Sequence, residues 1–288
     1  MSFYLIQALN AVQYGLLLFL VASGLTLIFG IMGVINLAHG SFYMIGAYLA
    51  YWLHLETGNL LLAVVIGLPL AVLLGLAVER LAIGFLYARD HLYQVLLTYG
   101  LILIFNELQR ILWGNDPHGV PVPDALAGSV PLTETQSYPV YRLFISAACI
   151  AVAAGMYAVI HKTRLGMTIR AGAANREMVQ VLGIDIGRLF AIVFSLGAAL
   201  AAFSGMLSVP VSSVYPGMGE HVLIISFVVV VIGGIGSILG AFVGAMLIGF
   251  ADTFGKVLVP EFASIAVYAL MAAILLWRPQ GLFGSRTA

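Results

Sequence analysis

Eight apolar stretches, at roughly 4–29, 41–55, 60–78, 92–113, 140–160, 189–209, 222–251 and 262–277, leave this chain few ways to fold. An α-helix needs ~20 apolar residues to cross a ~30 Å hydrocarbon core. Inside that core every backbone N–H and C=O must be paired within the protein, which admits only helices or closed barrels. The stretches are long and apolar on all sides, so they read as helices. Hydrophobic residues make up 62% of the chain and charged residues 8%, with no net charge, where soluble domains carry about 25% charged residues. The expected fold is all-α, a polytopic transmembrane helix bundle forming a single domain over 1–288. The first residues carry no Lys or Arg, so Ser2 to Phe29 reads as a mature span with its N-terminus outside, not as a removable signal. The lone Cys149 lies in an apolar run, which excludes an internal disulfide framework or a cysteine-rich metal site and reads as packing.

Charge sets the orientation. Five of the twelve Lys and Arg residues, Lys162, Arg164, Arg170, Arg176 and Arg188, fall in the polar island 161–188, which the positive-inside bias places in the cytoplasm. The connector from Glu79 to Asp90, with Arg80 and Arg89, and the tail, with Arg278 and Arg286, belong on the same side. The loop 114–139 holds Pro117, Pro121, Pro123, Pro131 and Pro139 without one Lys or Arg, and reads as external. Three apolar regions follow the island, and three plain crossings would leave the basic tail outside. The sequence Gly233-Gly234-Ile235-Gly236-Ser237 offers the break that resolves this, since a glycine inside a helix costs about 1 kcal/mol. Two short arms, about 222–232 and about 238–251, would then replace one span. The other reading is a single tilted helix that uses its glycines for close packing.

The N-terminal third repeats the design. Gly30 and Gly33 precede Gly40-Ser41-Phe42, as Gly233, Gly234 and Gly236 precede Gly240-Ala241-Phe242, so the two read as parallel internal repeats with broken or re-entrant helices. Backbone freed at membrane depth is tolerated only where it is buried in protein or lines a watery cavity, which favours a transport pathway. Asn36 and His39 flank the first break; they either line the substrate path or cap the loop that the break creates. Glu107 and Arg110, three residues apart on one helix face, read as a structural ion pair. Asp252 near Lys256 reads as a helix end at the interface. His39, His54, His91, His118, His161 and His221 are scattered without metal-ligand spacing, so neither a metal site nor a catalytic constellation is expected and the chain is not read as an enzyme.

Within the island, Ala171, Ala174, Met178, Val179 and Leu182 repeat as one apolar helical face, Asn175, Arg176, Glu177 and Gln180 take the rest, and Gly183 supplies a stop. Spacing alone suits a surface helix whose arginines meet membrane lipid headgroups.

The chain also resembles the permease subunits of ATP-binding cassette importers for branched-chain amino acids, specifically the first of the two paired permeases. The resemblance rests on Gly24-Leu25-Thr26-Leu27-Ile28-Phe29-Gly30 through Val34-Ile35-Asn36-Leu37-Ala38-His39-Gly40 to Gly46-Ala47-Tyr48. It continues at Thr163-Arg164-Leu165-Gly166 with Arg170-Ala171 and Leu182-Gly183-Ile184, at Gly233-Gly234-Ile235-Gly236-Ser237, and at the closing Pro279-Gln280-Gly281-Leu282-Phe283-Gly284. It implies a multi-pass protein of the bacterial inner membrane. Its partners would be a second related permease, two cytoplasmic ATPase subunits and a periplasmic substrate-binding protein, with no nucleic acid. It implies a coupling helix over Arg170 to Leu182 ended by Gly183, with Arg164, Gly166, Ala171, Asn175, Met178 and Ile184 in the same ATPase-coupling region. There is no G-x-x-x-x-G-K-[ST] loop, so no cofactor is expected in this chain, and ATP and Mg belong to the partner subunits. Import would proceed by alternating access. The competing readings are the same architecture carrying urea, short amides or a sugar, and an ion-coupled secondary transporter or channel. The latter predicts buried carboxylate ion ligands, and this sequence offers few.

Overall fold

The structure, a computed structural model, describes residues 2–87, 89–133 and 136–284. Its helices are α1 Ser2–Met32, α2 His39–Thr57, α3 Leu60–Leu81, α4 His91–Trp113, α5 Val140–Lys162, α6 Arg164–Ala174, α7 Arg176–Val181, α8 Ile186–Ser208, α9 Met218–Gly233, α10 Ile238–Leu258 and α11 Ala263–Trp277. Among the described residues, α1, α3, α4, α5, α8 and α10 are long and apolar enough to cross a membrane, while α9 and α11 are shorter apolar helices. The all-α expectation needs one small addition. In the proline-rich loop, β1 Ser129–Thr133 pairs antiparallel with β2 Gln136–Pro139.

Two helices form the centre. The most apolar windows of α1 and α8 are 89% and 78% buried, against 17% for α5 and 22% for α4, so α1 and α8 pack in protein while the others present apolar surface outward. The approach of α1 and of α2 to α8 is set by small residues, since lipid supplies no hydrophobic drive between helices and close backbone packing has to. A Cβ on Gly24 would lie 2.6 Å from the Gly197 carbonyl oxygen, and one on Gly46 would lie 2.1 Å from that of Ala202.

These contacts also fix direction. Gly24 meets Gly197, and Ser204 donates to the Leu17 carbonyl at 3.0 Å, so α1 and α8 are antiparallel. Gly249 meets Ala11 and Gly15 meets Ala245, so α10 is antiparallel to α1 as well. The starts of α1 and α5 and the ends of α8 and α10 therefore gather with the proline-rich loop at one end. The polar island lies at the other, which we call the basic end.

Both glycine breaks are present. The first lies between Met32 and His39. His39 hydrogen-bonds the Val21 carbonyl at 3.0 Å, eleven residues back from Met32, so α2 begins about 16 Å up from the end of α1 at 1.5 Å per residue. Gly40 packs on Gly219, so α9 starts at the same depth after the chain re-enters from the end of α8. The stretch 222–251 is thus no single tilted helix. The expected pair of short arms is corrected too: α9 spans 16 residues, but α10 is a full 21-residue crossing. The two sequence repeats share a reversal of direction but not a packing mode. Gly233 packs on Gly240 and Gly244 on Val229, so α9 and α10 form a tight hairpin. By contrast, α1 lies along α10 and α2 against α9.

The tail then returns to the basic end. The amides of Leu282 and Phe283 donate to the carbonyls of Ile232 and Gly233 at 2.8 and 2.9 Å, closing the C-terminus of α9. Arg286 lies outside the described residues.

Candidate functional site

The two breaks abut. A Cβ on Gly30 would stand 3.0 Å from the Gly236 Cα. Gly33, Gly234 and Gly236 have φ of +65°, +99° and +82°, a region that residues with a Cβ seldom enter. Ser237 caps α10 by accepting from the Gly240 amide at 3.0 Å. Within the first break and at its far end, Asn36 and His39 are wholly buried. A carbonyl only accepts, so His39 Nε2 carries the hydrogen that Val21 receives, and the ring braces the loop against α1. Asn36 caps nothing. Both of its side-chain polar atoms, His39 Nδ1 and the hydroxyls of Thr26 and Ser226 find no hydrogen-bond partner among the described residues. A buried polar atom left unpaired costs ~1–3 kcal/mol, which a rearrangement that supplies partners would recover.

The island departs from expectation. A single helix over Arg170 to Leu182 is not formed, because Asn175 takes extended backbone (φ −156°, ψ 103°) and caps α7 by accepting from the Met178 amide at 3.0 Å. Of the expected apolar face only Val179 is buried. Ile169, Gly172 and Val179 point into the protein, whereas Ala171 and Ala174 are exposed, as are Met178 (57%), Val181 (82%) and Leu182 (71%). Gly183, at φ +81°, ends α7: its amide donates to Gln180 and that of Ile184 to Val179, as in a left-handed helix stop. Arg164 is the exposed first residue of α6. Gly166 is pressed against the end of α5, where a Cβ would lie 2.1 Å from the Ile160 carbonyl oxygen. Arg170 donates to that same carbonyl, so its charge closes the end of α5.

Arg176 is the contact that sequence reasoning missed. Its guanidinium sits against Gly33 and lies 5.7 Å above the Phe190 ring, so the island touches the first break directly. Phe190 meets the Tyr87 ring edge-on at 4.9 Å, and Tyr87 donates to the buried Glu79 carboxylate. Burial first, and the hydrogen bond to Glu79 second, push the Tyr87 phenol well above its ordinary value, so it stays protonated. Pattern alone placed Arg176 on the polar face of a surface helix, with nothing to point to Gly33.

Toward the other end, Glu107 and Arg110 pair at 2.5 Å with both side chains about half exposed, and Lys256 pairs with Asp252 at 2.7 Å. A further polar contact joins α4 to the start of α9, where Asn106 donates to Glu220 at 2.7 Å. Among the described residues, no group of three or more His, Cys, Asp or Glu side chains could hold a metal ion.

Comparison with known proteins places this geometry in context. Residues 7–275 match the family described as branched-chain amino acid transport system / permease component. The chain is 30% identical to the high-affinity branched-chain amino acid transport system permease protein BraD of Pseudomonas aeruginosa, over 98% of this chain and 96% of that one. It is also 30% identical to the LivH permease protein of Escherichia coli, with the same coverage. It is 26% identical to the LivM permease protein of that organism, over 90% of this chain and 66% of LivM. No solved structure matches the chain.

Proposed function

This chain belongs to the family of branched-chain amino acid transport system permease components, and on that premise we propose that it carries branched-chain amino acids into the cytoplasm of a bacterium as one subunit of an ATP-driven importer. In this reading it is a multi-pass protein of the inner membrane. It pairs with a second, related permease and receives substrate from a periplasmic binding protein. Two cytoplasmic ATPase subunits hold ATP and Mg, in keeping with the lack of a G-x-x-x-x-G-K-[ST] loop in this sequence.

The observation that carries the reading is the exposed tip of α7. Met178, Val181 and Leu182 stand out from the basic end on a short capped helix, and apolar side chains held outside the membrane are stabilised by a protein groove that covers them. The route inward is short. α7 bears Arg176, which touches Gly33; the break at Gly33 adjoins Gly30, and Gly30 meets Gly236 of the second break. A shift of α7 imposed by an ATPase would reach both breaks through packed contacts. ATP can move the equilibrium between inward and outward states only if the ATPase groove holds α7 differently in each. An arrangement of the breaks that gave partners to the buried unpaired atoms of Asn36, His39, Thr26 and Ser226 would add a second difference.

The test uses the four-subunit complex reconstituted in vesicles with the binding protein. Met178→Glu and Leu182→Glu together should leave this chain inserted and paired with its partner permease, lose co-purification of the ATPases, and cut ATP-driven L-leucine uptake at least tenfold. Full uptake with that tip charged would refute the coupling role.

A further inference from the structure

A cavity of about 420 Å³ lies between α1, α5, α8 and α10 and is reached from the proline-loop end. Its rim holds Arg142, Asp252 and Lys256, and its floor holds Val21, Tyr43 and Val222. The volume falls in the ~300–1,000 Å³ range of small-ligand sites.

The charges are unbalanced. Arg142 is half-buried and its Nη1 donates to the Asn10 side-chain oxygen at 2.5 Å, but no carboxylate partners it among the described residues. Asp252 is 14% exposed and engages Lys256 through Oδ2 alone. Two cations therefore face one carboxylate, and a guanidinium with five donors meets only neutral groups, the Asn10 amide and the Tyr138 hydroxyl. An entering carboxylate would restore neutrality at Arg142, and Asp252 would oppose an ammonium. Leu17, Leu18, Val21 and Val222 give the wall an apolar stretch that suits an aliphatic side chain, beside the polar side chains of Gln7, Gln13, Ser204 and Ser208. The floor gives the position meaning: the Val21 carbonyl holds His39, the first residue of α2, so an occupant rests beside the break.

We propose that this cavity is a reception site within the permease for a zwitterionic amino acid with an apolar side chain, its carboxylate on Arg142 and its ammonium on Asp252. This rests on the importer reading above. It adds a site inside one subunit, filled from the binding-protein side before substrate enters the path between the two permeases.

The experiment measures displacement of radiolabelled L-leucine from the complete complex in lipid nanodiscs without binding protein. The competitors are 3-methylbutylamine, which lacks the carboxylate, and 4-methylpentanoate, which lacks the ammonium. The wild type should prefer leucine at least tenfold over each. Arg142→Gln should erase the preference over the amine, and Asp252→Asn that over the acid. If Arg142→Gln does not assemble, Asn10→Ala, which keeps the charge but frees the guanidinium, should weaken leucine at least threefold with the amine unchanged. Wild-type leucine binding that is absent, or unchanged in every variant, overturns the site. So does a phospholipid that co-purifies with the wild type, is lost in Arg142→Gln and is not displaced by leucine. ATP-driven leucine uptake by the same wild-type complex with binding protein separates the two claims: uptake with no cavity binding sinks the site alone, and no uptake sinks the importer reading beneath it.

Discussion

At Gly33 a left-handed backbone and the guanidinium of Arg176 occupy one corner. A Cβ there would lie 2.6 Å from Nη2 of Arg176. Gly33→Ala therefore carries two penalties: a left-handed conformation that disfavours side chains by ~1–2 kcal/mol, and displacement of the arginine from Phe190. Arg176→Ala already forfeits that contact, so the double variant should lower the apparent melting temperature by less than the sum of the single variants. A coupling of ~0.5–3 kcal/mol is usual for touching residues, and strict additivity would show that the contact is not formed. The glycines were legible in sequence because a left-handed turn has few other tenants. Arg176 was not, because its partners are a glycine and a ring brought together only by the folded bundle. Asn36 and His39 were legible as polar residues at a break, but not as one bracing side chain and one with no partner.

Among elements, the closing segment Pro279–Gly284 acts as a lid on the carbonyl end of α9. Gly281, at φ +78°, places it, and a Cβ there would lie 2.6 Å from the Gly234 amide nitrogen and from the Val231 oxygen. Gly281→Val should detach the segment. In hydrogen exchange the Leu282 and Phe283 amides, protected in the wild type by Ile232 and Gly233, should exchange at the rate of an open loop. Protection that persists would place those hydrogen bonds elsewhere. The sequence marked this segment by resemblance without revealing its use, because a backbone hydrogen bond to a distant carbonyl leaves no side-chain signature. The second break was readable, since three glycines in four residues seldom continue a helix. The division of the island was readable in principle, because Asn175 with Glu177 in the following turn is an ordinary N-cap pattern. Period alone hid it: a face that repeats through both α6 and α7 looks like one helix whether or not the chain bends between them.

Across the whole molecule, parity decides orientation. The basic tail can share a side with the island only if the last third reverses once more than its apolar stretches suggest. The structure meets that demand with α9, which starts at the depth of Gly40 and runs to the basic end, leaving α10 and α11 to go out and return. Both the proposed coupling tip and the proposed reception cavity depend on which end is outside. Asp124, exposed in the proline-rich loop, and Met178, exposed on α7, report the two ends. With the buried Cys149 replaced by alanine, a membrane-impermeant maleimide should label Asp124→Cys in intact spheroplasts and Met178→Cys only after permeabilisation. The reverse pattern would seat the apolar tip in the periplasm, where no ATPase can reach it, and open the cavity of Arg142 and Asp252 to the cytoplasm. One labelling experiment thus bears on both assignments, because the crossing pattern that carries α7 inward is the same one that carries the mouth of the cavity outward.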